Sequence, residues 1–291
     1  MQANHRPKIL VTGADPRQIY AAEKLRELGE VYVYGTEGVC PTGIAEISSP
    51  DGLCGSADLL VLPITANRTY AVCREGQVNA EHFIGSLAPR ALIAGGMISA
   101  MLEDTFHSKG FDTADYMKRE ELLIKNAVPT AEGTLSLIFT RCRETVSGMK
   151  ILICGWGRTA KACARVLDGV GADVSIAARS VSQRADAEVS GMNALPLDEL
   201  SENAGRYKVI VNTIPALVLT EKVISRTMQD CFIIDLASGA GGTDFHAAES
   251  IGRCAVHAPG LPGKHAPVTA GEMIACTVMN IYRERSGSNV T

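Results

Sequence analysis

A glycine-containing turn in the second half of the chain has the residue types and spacing that bind the pyrophosphate of a dinucleotide. The apolar run 150–154 leads into Gly155, Gly157 and Ala160, spaced as G-x-G-x-x-A, and then into a helix-compatible sequence. In this pattern the first glycine permits the turn, the second lets the backbone approach phosphate, and the third position keeps helix and strand close. The predicted cofactor-binding residues of this turn are Gly155, Trp156, Gly157, Arg158, Thr159 and Ala160.

The end of the next apolar strand, 173–178, indicates which dinucleotide is bound. An NAD-binding domain usually has Asp or Glu there to accept the ribose 2′-hydroxyl, whereas this chain has Arg179 followed by Ser180. An arginine cannot accept that hydrogen bond but can pair with a 2′-phosphate. The sequence therefore favours NADP, and the alternative is a solvated charge at the end of a strand.

Polar and glycine-rich residues follow two further predicted strands of this half. Asn212 and Thr213 come directly after one strand, with Pro215 marking a turn, and can offer donors to the ribose or the nicotinamide. Asp235 ends the next strand and precedes a glycine-dense segment, 239–242. Because ligands of open parallel sheets lie beyond the carboxyl ends of the strands, these four residues are predicted to contact the cofactor. For Gly239 and Gly241, an ordinary backbone turn without a ligand is an equal alternative.

Candidate catalytic residues lie in two other segments. The proline- and glycine-rich stretch 258–272 is predicted to be a rigid loop with Lys264 and His265 at its tip, where a histidine can move a proton. The alternative is a surface loop with solvated charges.

The other catalytic candidates come from the segment predicted to join the two halves, which contains Arg119, Thr130 and Glu132. Thr130 can donate to a ligand or cap a helix, and Glu132, in the first turn of that helix, can act as a base or stabilise the helix. Arg68, after a strand end in the first half, is a further carboxylate ligand through its guanidinium. A structural or surface role is an equal alternative for each.

The elements that position these residues form a regular alternation of strands and helices. In the second half, strands are predicted at 150–154, 173–178, 208–213, 231–236 and 254–257, with helical patterns between them. This order predicts a doubly wound parallel sheet. The first half repeats the alternation of strands and helices, with strands at 8–13, 31–34, 57–63 and 91–95 and a helix at 15–28. The turn after its first strand has a single glycine and therefore lacks the dinucleotide-binding pattern.

Two α/β domains are therefore predicted, both Rossmann-like, with a cleft between them for the substrate. A substrate or catalytic domain of flavodoxin- or Rossmann-like build spans 1–128, a dinucleotide-binding Rossmann domain spans 129–270, and a C-terminal helix in 271–291 packs back on the first domain. Two helices are expected to bridge the halves, one at 113–126 capped by Thr113 and one at 130–143 after Pro129.

Composition excludes several classes of protein. The chain has 291 residues, a net charge of −4 and 21% charged residues, which is not the basic balance of a nucleic-acid-binding protein. No apolar stretch is long enough for a membrane span, and residues 1–8 lack the apolar core of a signal peptide. The nine cysteines are odd in number and form no C-x-x-C pair, so reduced buried thiols are expected rather than disulfides or a metal site.

Taken together, the motifs resemble the family of the NADP-binding subunit of dipicolinate synthase, from about residue 57 to 280. The segments that carry the resemblance are Arg119-Glu-Glu-Leu, 126–133, 212–217, 234–238 with 241–245, and 259–263 with 269–271. The resemblance implies a cytosolic protein of the mother cell of a spore-forming bacterium, linked to NADP-dependent oxidation of dihydrodipicolinate to dipicolinate. It also implies a partner, the second and flavoprotein-like subunit of dipicolinate synthase.

The predicted site therefore binds NADP and dihydrodipicolinate or dipicolinate, uses Arg119, Thr130, Glu132 and His265 in catalysis, and needs no metal. We expect a homo-oligomer that binds neither nucleic acid nor membrane. The sequence departs from the family in two places. Residues 239–242 are Gly-Ala-Gly-Gly where the family usually has Lys-Pro-Gly-Gly, and His265 stands where the family commonly has a small apolar residue. A 2-hydroxy-acid or alanine dehydrogenase-like enzyme, or a non-catalytic NADP-binding subunit that scaffolds the flavoprotein-like partner, is the alternative.

Overall fold

The chain forms two compact units, each built around a six-stranded parallel sheet. The computed structural model of the chain describes residues 6–65 and 68–287. The first unit comprises Met1–Asn126 with Ala266–Thr291, and the second comprises Ala127–His265. The sequence predicted domain boundaries after residues 128 and 270, and in the structure the units divide after residues 126 and 265. Of the predicted terminal segments 1–8 and 271–291, residues 1–5 and 288–291 lie outside the described residues.

The described residues of the first unit form eight strands, six of them in its main sheet. They are β1 (Lys8–Thr12), β2 (Glu30–Tyr34), β3 (Ala45–Glu46), β4 (Ala57–Ile64), β5 (Tyr70–Cys73), β6 (Gly76–Asn79), β7 (Leu87–Gly96) and β8 (Asp112–Asp115). The main sheet has the order β3-β2-β1-β4-β7-β8, and β5 and β6 form a separate antiparallel hairpin. Its central strands are buried on both faces, as expected for a parallel sheet covered by helices.

Side-chain caps set the starts of the first two helices, α1 (Pro16–Leu25) and α2 (Ala100–Ser108). The Asp15 carboxylate accepts from the backbone N–H of Arg17, and the Ser99 hydroxyl accepts from that of Leu102. Short 3₁₀ segments occupy Ala80–Ser86 and Tyr116–Lys118.

The third helix, α3 (Glu120–Arg141), begins in the first unit and ends in the second. The prediction of two helices, 113–126 and 130–143, was wrong, because Thr113 lies in β8 and Pro129 lies inside α3. The helix continues through the proline because side chains on both sides of it are buried. Leu122 packs in the apolar cluster of the first unit, and Ala127, Ala131 and Ile138 form a buried stripe further along the helix. Their burial offsets the hydrogen bond that proline cannot make.

The sheet of the second unit has the order β11-β10-β9-β12-β13-β14. Its strands are β9 (Lys150–Cys154), β10 (Asp173–Ala178), β11 (Asn193–Pro196), β12 (Val209–Asn212), β13 (Phe232–Asp235) and β14 (Cys254–His257). Chain order reverses between β9 and β12, which is where a doubly wound sheet opens a crevice for a ligand. The predicted fold class, two Rossmann-like α/β domains with parallel sheets, is confirmed.

Helices cover both faces of this second sheet and enclose one apolar cluster on each side. They are α4 (Arg158–Gly169), α5 (Val181–Val189), α6 (Leu200–Asn203), α7 (Glu221–Ile224), α8 (Phe245–Ser250) and α9 (Leu261–His265), with 3₁₀ segments at Leu197–Glu199 and Ala204–Arg206. The register pairs Asn212 with both Cys154 and Asp235. The carboxyl ends of β9, β12 and β13 therefore lie side by side.

The last helix, α10 (Pro267–Arg285), belongs to the first unit and packs on α1. At their contact the Cβ position of Gly271 is 2.4 Å from the carbonyl oxygen of Arg17, so a side chain there would separate the helices. The prediction of a rigid loop at 258–272 was wrong, because most of that stretch lies in α9 and the first turn of α10. Within residues 6–65 and 68–287, no helix is both long and apolar enough to cross a membrane.

Candidate functional site

The two glycines of the turn after β9 serve different purposes. Gly155 has φ +101°, and a Cβ there would lie 2.6 Å from the hydroxyl oxygen of Thr213, so the fold itself requires glycine. Gly157 has an extended backbone, with φ −87° and ψ −172°, that any residue can adopt. Within the described part of the chain, nothing lies within 4 Å of its Cβ position. Its missing side chain therefore leaves open space beside the backbone, which suits a phosphate group.

The N-terminus of α4 faces the same turn. Gly157 occupies the capping position, and no side chain among the described residues caps the helix there. Ala160 is fully buried against the sheet, whereas Arg158 is exposed and Thr159 is partly exposed. An uncapped helix N-terminus presents N–H groups and a positive dipole end to an anion. The turn and helix thus have the form of a pyrophosphate site.

The side chain of Trp156 holds the turn in place. Its indole Nε1 donates to Oδ2 of Asp186 on α5 at 2.8 Å, and Nζ of Lys161 lies 2.8 Å from the same oxygen. The Lys161 ammonium and the Trp156 N–H together lower the pKa of Asp186. Trp156 is 6% exposed and its indole is engaged by Asp186, so its side chain supports the turn and does not face an open site.

The end of β10 presents a cation and hydroxyls but no carboxylate. Arg179 is exposed, and the hydroxyl oxygens of Ser180 and Ser182 are 2.6 Å apart at the start of α5. Nη1 of Arg184 donates to the carbonyl oxygens of Ala178, at 2.9 Å, and Arg179, at 3.0 Å. Arg184 and Ser182 were not predicted. The sequence could have indicated both residues, because the predicted helix after Ser180 places them within one or two turns of it.

Asn212 and Asp235 are buried, and their side chains organise loops. The Asp235 carboxylate accepts hydrogen bonds from the backbone N–H groups of Ala237 and Gly242, from the Thr243 hydroxyl and from the Asn212 amide. Asn212 also donates to the carbonyl oxygen of Ile214 and accepts from its N–H. Internal donors and acceptors thus engage both side chains. The predicted contact with the cofactor is replaced by an indirect role, in which the pair shapes the loops at the crevice.

Thr213 and Pro215 complete this loop. The Thr213 hydroxyl donates to the carbonyl oxygen of Cys154 at 2.8 Å, which ties the loop to the end of β9 beside Gly155. Pro215 is exposed. The loop that follows β12 is thus fixed against the phosphate turn, with Pro215 on its outer side.

A histidine that sequence analysis did not single out lies at the end of β14. Nε2 of His257 is 3.0 Å from the carbonyl oxygen of Ala237, and its ring lies 5.8 Å from that of Phe245. A carbonyl oxygen only accepts, so Nε2 carries the proton. His257 thereby supports the loop after β13 from its other side.

Arg119 is engaged in ion pairs within the first unit. Its Nε is 2.9 Å from Oε1 of Glu121, and its Nη2 is 2.5 Å from Oε1 of Glu284 on α10. The Glu284 contact is the main cause of the raised pKa of Arg119. Its guanidinium therefore links the start of α3 to α10, and this geometry does not support the predicted catalytic role of Arg119.

The other predicted catalytic residues lie in the second unit. Thr130 lies inside α3 and its carbonyl oxygen accepts from the Thr134 hydroxyl, so it does not cap a helix. Glu132 is exposed near the middle of α3 and not in a first turn. His265 ends α9 and is exposed, with its Cβ 3.4 Å from the Cβ position of Gly133. Among the residues that the structure describes, no group of three metal-binding side chains occurs.

Comparison with known proteins gives matches for both units. The model of the N-terminal domain of DpaA, the dipicolinate synthase A-subunit, matches residues 8–117. The model of the NAD-binding domain of D-isomer specific 2-hydroxyacid dehydrogenases matches residues 132–235. The second match includes the phosphate turn and the ends of β10, β12 and β13. The second unit is therefore a dinucleotide-binding domain of the dehydrogenase type.

Whole-chain comparisons agree with these matches. The dipicolinate synthase A-subunit of Bacillus subtilis (strain 168) is 31% identical over 285 residues, covering 95% of this chain and 96% of that protein. The crystal structure of the same subunit from Bacillus halodurans has a TM-score of 0.85 at 27% identity, covering 94% of this chain and 97% of that one. An L-alanine dehydrogenase has a TM-score of 0.69 at 14% identity, covering 97% and 90% of the two chains, which shows a shared fold alone.

Proposed function

Because the chain belongs to the DpaA family of dipicolinate synthase subunits, we propose that it is the NADP-dependent oxidoreductase subunit that converts dihydrodipicolinate to dipicolinate. The observation that carries this proposal is the open phosphate turn at Gly157, next to an uncapped helix N-terminus. A side chain would fit there in the folded protein, so the glycine is explained by a ligand rather than by the fold.

NADP is the proposed cofactor because of the charge at the end of β10. Arg179 is exposed where an acidic residue would select NAD, and the Ser180 and Ser182 hydroxyls lie beside it. Arg184 fixes the carbonyl groups of Ala178 and Arg179. A guanidinium and two hydroxyls form a suitable set of donors for a 2′-phosphate.

The reaction is proposed to remove a hydride and a proton from a CH–CH unit of the substrate ring, which becomes aromatic. When bound, the nicotinamide supplies the hydride acceptor. The chain's own contribution is positioning, because Asp235, Asn212 and Thr213 hold the loops at the crevice between β9 and β12. Glu132 and His265 are exposed and are the proposed proton acceptors, with Thr130 as a neighbouring donor.

The partners and cellular location are proposed from the family. The flavoprotein-like second subunit of dipicolinate synthase is the proposed protein partner, and the chain is proposed to form a homo-oligomer. Activity in the cytoplasm of the mother cell of a sporulating bacterium fits the product, a spore chelator. The assembly is tested by copurification of the full chain with the flavoprotein-like subunit, followed by measurement of the mass of the complex.

The proposed function is tested by following NADP reduction when dihydrodipicolinate is added to the purified chain, with and without the flavoprotein-like subunit. We expect NADPH to form in proportion to dipicolinate, and we expect no NADPH with Gly157→Val, whose cofactor site is blocked. NADPH formation from 2-hydroxy acids or alanine instead would favour the alternative dehydrogenase. NADP binding without turnover, with or without the partner, would favour a scaffolding role.

A further inference from the structure

Met97 has a backbone conformation that favours glycine. The two residues directly before it, Gly95 and Gly96, are glycines but do not have this conformation. The φ of Met97 is +55°, in the left-handed region, where a long side chain is strained. The preceding Gly96 is explained by space instead, because a Cβ there would lie 2.7 Å from both Ile64 and Tyr116. The chain thus has a methionine at the position of this turn where glycine would be easiest to accommodate.

The strained conformation is held from both sides by the ends of neighbouring strands. The backbone N–H of Met97 donates to Oδ1 of Asp115, at the end of β8, at 3.0 Å. Its carbonyl oxygen accepts from the hydroxyl of Thr65, just after β4, at 2.9 Å. Thr65 is 2% exposed, so this contact is protected from water. Such strain persists where surrounding structure imposes it, and it is concentrated at functional sites.

Thr65 also places an arginine at the same edge of the sheet. The backbone N–H of Arg68 donates to the carbonyl oxygen of Thr65 at 3.1 Å. The Arg68 side chain is exposed and lies 5.6 Å from the centre of the Tyr70 ring. Met97 is itself 38% exposed. The carboxyl ends of β4 and β7 therefore present a guanidinium and a thioether, joined through one buried threonine.

We propose that Met97 and Arg68 bind the ring of a planar carboxylate, with the Met97 side chain against the ring and the Arg68 guanidinium on a carboxylate. A thioether is polarizable and contacts aromatic rings favourably, and a guanidinium matches a carboxylate in shape and charge. The ring is that of dipicolinate or its dihydro precursor, an identity that rests on the proposed function. The strain at Met97 is then the cost of placing this side chain at the edge of the sheet.

Another strained residue of the first unit provides a matched control. Arg90 has φ +64°, and its carbonyl oxygen accepts from Nη2 of Arg285 at 2.9 Å. It lies within β7 and not at the carboxyl end of a strand. Replacing Arg90 by glycine relieves a comparable strain without touching the proposed site.

The test measures binding of dipicolinate by calorimetry and thermal stability on the full chain saturated with NADP. For Met97→Gly we expect Tm to rise by about 2–4 °C, because relief of strain exceeds the freedom that glycine adds to the unfolded chain. We expect its Kd for dipicolinate to rise about tenfold, the scale of a lost ring contact. Arg90→Gly should raise Tm similarly and leave Kd unchanged. Arg68→Ala should raise Kd at least ~10-fold without lowering Tm.

The outcomes separate this inference from the proposed function. If Met97→Gly or Arg68→Ala binds dipicolinate as tightly as the wild type, the inference is overturned, while wild-type turnover still supports the function. If the wild type reduces NADP with dihydrodipicolinate but binds no dipicolinate, the inference is likewise overturned. If the wild type shows neither turnover nor binding, the proposed function fails and the inference fails with it.

Discussion

The side-chain amide of Asn212 donates to the carboxylate of Asp235 at 3.1 Å, across the carboxyl ends of β12 and β13. The two residues are also paired in the register of the sheet. Asp235 has three further donors, from Ala237, Gly242 and Thr243, and is fully buried. One carboxylate therefore fixes the loops that follow two neighbouring strands at the cofactor crevice.

Replacing Asp235 by alanine should therefore affect both stability and cofactor binding. The change leaves buried donors of Asn212 and Gly242 without an acceptor, which costs on the order of 3 kcal/mol in the free energy of unfolding. Urea denaturation measures this loss, and calorimetry should show weaker NADP binding. Asp168→Asn, at an exposed position of α4, is the control. A loss below about 0.5 kcal/mol, the usual surface effect, would contradict the role assigned to Asp235.

Substitutions at the two glycines of the phosphate turn should affect different properties, NADP affinity at Gly157 and stability of the fold at Gly155. Gly157→Val should leave Tm within about 2 °C of the wild type, because its Cβ position is open and its φ is ordinary. Its NADP affinity should fall at least ~10-fold, since the side chain occupies the space for phosphate. Gly155→Val should instead destabilise the fold by about 2 kcal/mol or more, given its positive φ and the Thr213 contact. Unchanged NADP affinity in folded Gly157→Val would place the cofactor elsewhere.

Arg179→Asp should reverse the preference for the phosphorylated cofactor. We expect NADP binding to weaken by about 1–3 kcal/mol, the scale of lost charge-assisted hydrogen bonds, and NAD binding to stay the same or improve. Calorimetric titrations with both dinucleotides measure the change. Arg165→Asp, an equal charge change at an exposed position of α4, controls for the general electrostatic effect. Equal affinity of the wild type for NAD and NADP would refute the assignment of NADP.

The Asp15–Arg17 pair predicts a pH dependence of stability in the first unit. Burial raises the pKa of Asp15, but the hydrogen bonds and charge of Arg17, whose Nε is 2.8 Å from Oδ1, outweigh it and lower the pKa. A carboxyl with a lowered folded pKa contributes stability above its unfolded pKa and loses it as pH falls through the folded value. Asp15→Asn should cost on the order of 3 kcal/mol at pH 7, with the difference from wild type shrinking below about pH 4.

Thermal unfolding of the wild type and Asp15→Asn between about pH 7 and pH 2.5 measures this dependence. Glu27→Gln, which alters an exposed pair with Lys24, should change Tm little at any pH. A difference between wild type and Asp15→Asn that is constant or grows as pH falls would show that the pair is not the cause.

The parts of the fold that were predicted well are those governed by local pattern. The strands at 150–154, 173–178 and 254–257 have the predicted limits, because each is a short, mostly apolar run that begins with or directly follows a charged residue. Residues 113–115 of the polar strand β8 (Asp112–Asp115) were predicted as part of a helix, since only the pairing of β8 with β7 makes it a strand. Pro129 suggested a helix boundary, but burial along α3 outweighed that local preference.

The site shows the same division between local pattern and tertiary contact. The spacing of Gly155 and Gly157 was sufficient to predict the form of the turn, since both act through their own backbone. The partners of Asp235 lie up to 23 residues away at Asn212 and could not be inferred from the residue type. Arg119 likewise looked available in the sequence, but its guanidinium is engaged by Glu284, 165 residues further along the chain.

The central claim, that this chain carries out the oxidation, is tested most directly by tracing the hydride. Dihydrodipicolinate deuterated at the ring carbon that loses hydride is mixed with the full chain, NADP and the flavoprotein-like subunit, and the nucleotide is analysed by mass spectrometry. We predict one deuterium in the NADPH for each dipicolinate formed, and none with Gly157→Val. Dipicolinate formed at the same rate with Gly157→Val, or with the deuterium absent from NADPH, would contradict the account.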